Sequence, residues 1–199
     1  PAAPDRVWRK ATDPLHLMSV GRLVEKKGFD NLIAALALLP EGLDWHWTHI
    51  GGGDLKAPLE DMAVQAGINH RINWRGACDQ PEVIEAMRAA DLFVLPSRIA
   101  KDGDRDGLPN VLMEAASQRL PILSTAVSAI PEFITTGTHG LLADDAPKCL
   151  TEAMMHIARY PDQAAEMAEA ALCRLKCEFG MSPGITRLSQ RLTAMLAGQ

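Results

Sequence analysis

The chain has 199 residues, 47% hydrophobic and 23% charged, with a formal net charge of −5 and only 5% aromatic residues. That balance suits one soluble globular core and excludes a basic, base-stacking surface, so no nucleic-acid partner is expected. No apolar run reaches the roughly 18–20 residues that span a bilayer, and the opening PAAPDRVWRK lacks the basic-then-apolar order of a signal peptide, which reads as cytoplasmic.

Residues 1–14 carry three prolines and mixed charge and read as a linker or crossover. The apolar run LHLMSV (15–20) ends at Gly21 as a strand, and 28–39 follows with helical spacing and the strong formers Ala34, Ala35 and Leu36. A second strand over 44–50 runs into Gly51, Gly52 and Gly53, and an amphipathic helix follows over 55–66. HRINWRG (70–76) is a weaker strand; Asp79 then caps a helix over 81–90 that has Pro81 in its first turn.

Residues 91–117 read as a buried strand, an Asp- and Gly-rich loop and a helix opening at Pro109. LPILS (120–124) and HGLLA (139–143) give two more strands, with a turn of helix over 130–134 between them. From Pro147 the signals are helical, interrupted at Pro161 and over 180–184, which predicts three closing helices. Strands alternating with helices predict an α/β fold: a Rossmann-like parallel sheet of about six strands, helices on both faces and a helical C-terminal segment. Residues 15–199 are expected to form that domain.

Ligands of parallel α/β sheets gather at the carboxyl ends of strands, where helix N-termini offer free N–H groups to anions. Arg22 and Lys27 lie in GRLVEKKG, directly after the first strand. A guanidinium fork and an ammonium there can clamp a diphosphate, with Lys26 as a spare, although a solvated loop that balances Glu25 has the same spacing. Gly51, Gly52 and Gly53 fail the GxGxxG fingerprint, which needs Gly at Lys56, but suit a turn that a ligand or another backbone approaches closely.

Asp102, Asp104 and Asp106 with Gly107 imitate a calcium loop, yet its twelfth position is Met113 and a strand precedes it. The same acids suit Mg²⁺ with a substrate phosphate, or pairing with Arg105 in a solvated loop. Glu114, five residues after Pro109, suits a pair of ribose hydroxyls, while the backbone at the helix start suits phosphate. The six histidines form no HxxxH pair and no hydrolase triad, and Cys78, Cys149, Cys173 and Cys177 lack paired metal spacing, so reduced structural thiols are expected.

In order along the chain, GRLVEKKG, IGGG, ADLFVLPS, DGLPNVLMEA and IPEFI followed by HGLLA resemble the donor-binding C-terminal domain of retaining GT-B glycosyltransferases of group 1, family 4. The resemblance runs over 15–143. It implies a nucleoside-diphosphate sugar as substrate, transfer of a hexose-type sugar with retention, no metal, and a last helix that crosses toward a partner domain. It implies that Arg22 and Lys27 hold the diphosphate and that Asp106 and Glu114 are the two acids of the E-x7-E box. Asp106 then faces the donor sugar beside Gly107, Leu108, Pro109 and Asn110, and Glu114 holds the ribose. Gly21, Gly51, Gly52, Gly53, Arg75 and Gly76 line the rest of the donor site.

Asp106 stands where that family usually has Glu, and Ser128-Ala129 where it often has Gly-Gly. The resemblance also implies an acceptor-binding N-terminal domain, expected to be absent here, through which any membrane contact would run. The fragment is then expected to bind donor and turn over little; the alternative is a nucleotide-binding or regulatory module without catalysis.

Overall fold

The computed structural model of the protein describes residues 5–179. LHLMSV forms β1 (Leu15–Val20), and a 3-10 turn (Glu25–Lys27) leads into α1 (Phe29–Ala37). Next come β2 (Trp45–Ile50), α2 (Lys56–Gln65), β3 (Ile72–Gly76) and α3 (Gln80–Ala89). The middle of the chain gives β4 (Leu92–Leu95), α4 (Asn110–Ser117), β5 (Ile122–Thr125), α5 (Ile130–Phe133) and β6 (Leu141–Ala143). Two longer helices, α6 (Pro147–Arg159) and α7 (Pro161–Arg174), close the described part, with Leu175–Phe179 continuing α7 as a π-helical turn.

The expected elements are present, with local differences. His70 belongs to a 3-10 turn (Asn69–Arg71) rather than to the third strand. β6 starts only at Leu141, because Gly140 has a φ of +151° and lies against the Ile122 carbonyl, where a Cβ would come within 2.6 Å. The third closing helix and the crossing toward a partner domain lie outside the described residues. Asp79 does cap α3, and Glu82 completes a capping box by accepting from the Asp79 N–H while its own N–H donates to the Asp79 carboxylate.

All six strands are parallel, in the order β3-β2-β1-β4-β5-β6. The chain therefore steps one way from β1 to β3, crosses back over the sheet to β4, and steps the other way to β6. With right-handed crossovers, α1 and α2 cover one face and α3, α4 and α5 the other. α6 packs on α1 and α7 on α4, so each face gains a closing helix. β4 and β5 are buried along their whole length, as strands covered on both sides must be.

The reversal of direction falls between β1 and β4, the switch point at which such sheets bind ligands. Their ladder pairs only Leu17 with Leu92 and Met18 with Phe93. Beyond it, the buried Ser19 hydroxyl donates to the Val94 carbonyl at 2.6 Å and accepts the Trp47 indole N–H at 3.0 Å. Ser124 and Thr125 likewise donate to the carbonyls of Leu95 and Ser97. Side chains thus stitch the strand ends where the backbone ladder stops, so the loops that leave β1 and β4 start from fixed points.

Candidate functional site

The loop after β1 is tied to the ends of the neighbouring strands. Gly21 N–H donates to Ile50 O at 3.0 Å, Leu23 N–H to Gly52 O at 2.8 Å, and Gly51 N–H to Gly76 O at 2.7 Å. The glycine run is needed for this approach: a Cβ on Gly51 would stand 1.9 Å from Gly21 O, and one on Gly53 2.6 Å from Leu23 O. Gly21, Gly51, Gly52, Gly53 and Gly76 therefore form one continuous backbone surface over β1, β2 and β3.

The 3-10 turn carrying Lys26 and Lys27 ends at Gly28 in the left-handed conformation, φ 65°. A side chain there would meet Pro96 O at 2.1 Å, so the turn sits directly on the end of β4. Arg98 clasps the two loops together: its N–H donates to Lys26 O at 2.9 Å, its Nε to Glu25 O at 3.0 Å, and its guanidinium pairs with Asp30 at 2.9 Å. Sequence reading missed Arg98; its one visible signal is a cation just past the end of a buried strand.

Two lysines and two aspartates, roughly 80 residues apart in sequence, meet across this junction. Lys27 Nζ lies 2.6 Å from Asp106 Oδ2 and Lys26 Nζ 3.4 Å from Asp106 Oδ1, so one carboxylate sits between two ammoniums. Lys26 also binds Asp104 at 3.0 Å. That contact raises the Lys26 pKa and lowers that of Asp104, which Arg22, itself exposed, lowers further through space. Lys27 meets the buried Asp106 Oδ2 as an ion pair, and among the described residues that oxygen has no hydrogen-bond donor.

The Arg105 guanidinium does not pair with the aspartates and donates instead to Gly103 O, although the Arg105 backbone hydrogen-bonds Asp104. Glu25 is likewise not balanced by Arg22 or Lys27; its carboxylate accepts from the Lys101 N–H. Among the described residues no group of three or more His, Cys, Asp or Glu side chains has the arrangement of a metal site. Gly107 and Leu108 lead from Asp106 to Pro109, the N-cap of α4, which has no side-chain cap. The N–H groups of Asn110 and Val111 at the start of that helix are therefore available to an anion, while that of Leu112 donates to Pro109 O at 3.0 Å. Glu114 is half-buried on the same helix.

Arg75 stays apart from the lysines. It pairs with Glu82 at 3.2 Å and lines a cavity of about 450 Å³ with His16, His46, Thr48 and Asn73 on the sheet face. Cys173 and Cys177 are exposed and so are not core thiols.

Residues 4–172 match the family of glycosyl transferases, group 1, and the chain belongs to that family. Its six-stranded sheet is the Rossmann-like C-terminal domain of a GT-B fold. Over 181 residues, 90% of this chain, it is 33% identical to the amylovoran biosynthesis glycosyltransferase AmsK of Erwinia amylovora. It spans 44% of the length of that relative. The C-terminal domain of the group 1 glycosyl transferase LpcC from Francisella tularensis superposes with a TM-score of 0.74 at 20% identity, over 84% of this chain and 88% of that one. Anabaena HepE, solved with UDP and glucose, superposes with a TM-score of 0.75 at 18% identity, over 95% of this chain and 50% of its own. No described helix is long and apolar enough to cross a membrane.

Proposed function

We propose that the chain is the donor-binding domain of a retaining glycosyltransferase, which takes a nucleoside-diphosphate sugar and passes on a hexose-type sugar. The observation that carries this reading is the meeting of Lys26, Lys27 and Asp106 at the switch point, beside the uncapped start of α4. Departure of the nucleoside diphosphate develops negative charge on the phosphates. Preorganised cations and helix N–H groups aimed at that charge are the main lever such a site has on the rate.

In this reading Arg22, Lys27 and the α4 N-terminus hold the diphosphate, and the Asp106 carboxylate accepts a hydroxyl of the donor sugar. Glu114 takes the ribose, and the backbone surface of Gly21, Gly51, Gly52, Gly53 and Gly76 carries the nucleoside. No metal takes part, since the cations are the protein's own. The setting is cytoplasmic, the acceptor is bound by a second domain, and the chain alone turns over little. The UDP and glucose bound by HepE support a nucleotide-sugar ligand here.

Calorimetric titration with UDP, GDP and their sugars, with and without EDTA, tests the reading. Binding that EDTA leaves unchanged is expected; no binding at millimolar nucleotide overturns it, and loss with EDTA would move the function to metal-dependent phosphoryl chemistry on Asp102, Asp104 and Asp106. Joining the domain to an acceptor-binding partner domain and assaying transfer separates an enzyme from a regulatory module.

A further inference from the structure

We infer that Lys26 is a second lysine ligand of the donor diphosphate, and that Asp104 and Asp106 occupy the anion's place until the nucleotide displaces them. The inference rests on the donor-site reading above and deepens it. The geometry carries it: Lys26 and Lys27 approach the two oxygens of one Asp106 carboxylate from 3.4 and 2.6 Å. Two ammoniums converging on a single anionic group mark a place that a phosphate fits, with its oxygens spread over both cations. Both lysine side chains are largely enclosed, at 13% and 12% exposure, so neither is a freely solvated surface cation.

Lys26 differs from Lys27 in having a counter-ion of its own. Asp104 is the exposed member of the cluster, at 56%, and it holds Lys26 at 3.0 Å from a turn fixed by Ala100 N–H to Asp104 O and Asp104 N–H to Asp102 Oδ1. A nucleotide entering the site exchanges one anion for another: its phosphate oxygens take the ammoniums and Asp106 gives them up. Asp106 Oδ2, which has no hydrogen-bond donor among the described residues and only the Lys27 ammonium beside it, is then the acceptor left for a sugar hydroxyl. Diphosphate binding and the readiness of Asp106 for the sugar are thereby coupled through the two lysines.

The test is a double-mutant cycle on nucleotide affinity, read by calorimetry with UDP, or with GDP if that is the base the protein takes. K26A is expected to weaken binding by about tenfold, as loss of one charge-assisted contact does. D104N is expected to tighten it by about two- to fivefold, the worth of an exposed ion pair. In the K26A background D104N should change affinity less than about twofold, because its effect runs through Lys26 and not through net charge alone. The matching nucleoside without phosphate should bind all four proteins alike.

Wild-type affinity in K26A, or an equal gain from D104N with and without Lys26, overturns the inference while leaving the donor site standing. Failure of the wild type to bind either diphosphate overturns the donor site and this inference with it. Thermal denaturation of each variant separates loss of fold from loss of ligand.

Discussion

The α-carbon of Gly51 faces the carbonyl oxygen of Gly21 so closely that a Cβ on it would stand 1.9 Å from that oxygen. Gly51 has a φ of +138°, so strain adds to the clash. G51A should cost about 1–3 kcal/mol from backbone conformation alone, and more as the two loops are forced apart. Gly52 beside it has nothing within 4 Å of a built Cβ, and G52A should stay within about 0.5 kcal/mol of the wild type. Denaturant unfolding of both variants checks this; equal stabilities would mean that the β1 and β2 loops do not depend on their close approach.

Arg22 and Lys27 should govern affinity for the phosphates and not for the base. R22A/K27A is expected to lose at least about 100-fold in UDP or GDP affinity, the sum of two charge-assisted contacts, with nucleoside binding unchanged. K27A alone should also lower the melting temperature, because Asp106 Oδ2 would keep its burial and lose its nearest cation. Unchanged diphosphate affinity in the double variant would mean that the clamp lies elsewhere.

The architecture was legible because β1 is a compact apolar run, because most of the helices, though not α2, space their apolar residues along one face, and because Asp79 announces its helix. The two lysine and glycine loops were legible as places, being polar stretches at strand ends. Their partners were not. The Lys26 ammonium ends four bonds from its Cβ, and nothing local to GRLVEKKG says that it meets Asp104, 78 residues on. Arg105 looked like the natural mate of the aspartates because sequence shows only neighbours, whereas the switch point brings two loops together across the sheet. His49 was equally hidden: in WHWTHI it shares a strand face with Trp47, and only the packing of Phe29 and Trp74 reveals that it is fully buried.

That histidine sets a pH dependence. His49 is fully buried against Phe29, Trp47 and Trp74, and desolvation lowers its pKa to about 4, offset in part by hydrogen bonding to the Gly21 backbone. The unfolded chain takes up the proton at about pH 6.5. Between those values the unfolded state binds more protons, so stability falls as pH drops from about 6.5 to about 4, by up to about 3 kcal/mol. H49F keeps a ring in the aromatic cluster and removes the titration. Its unfolding free energy should fall less steeply over this window than that of the wild type, whatever its absolute value; identical slopes would mean that the His49 proton does not weigh on folding.

Ser128 holds a left-handed backbone, φ 51°, at the position where the resemblance expects the first of two glycines. The conformation is thus kept although the residue that takes it without strain has been replaced. For an L-residue the left-handed region costs about 1–2 kcal/mol, while a glycine loses more chain entropy on folding, about 0.5–1 kcal/mol. S128G should therefore stabilise by about 0.5–1 kcal/mol, a rise of about 1–4 °C in melting temperature for a chain of this size. S128A keeps the Cβ and loses the hydroxyl, so it should give no gain. If S128A stabilised as much as S128G, the cost would lie in the hydroxyl and not in the backbone, and the loop before α5 would carry no strain that glycine relieves.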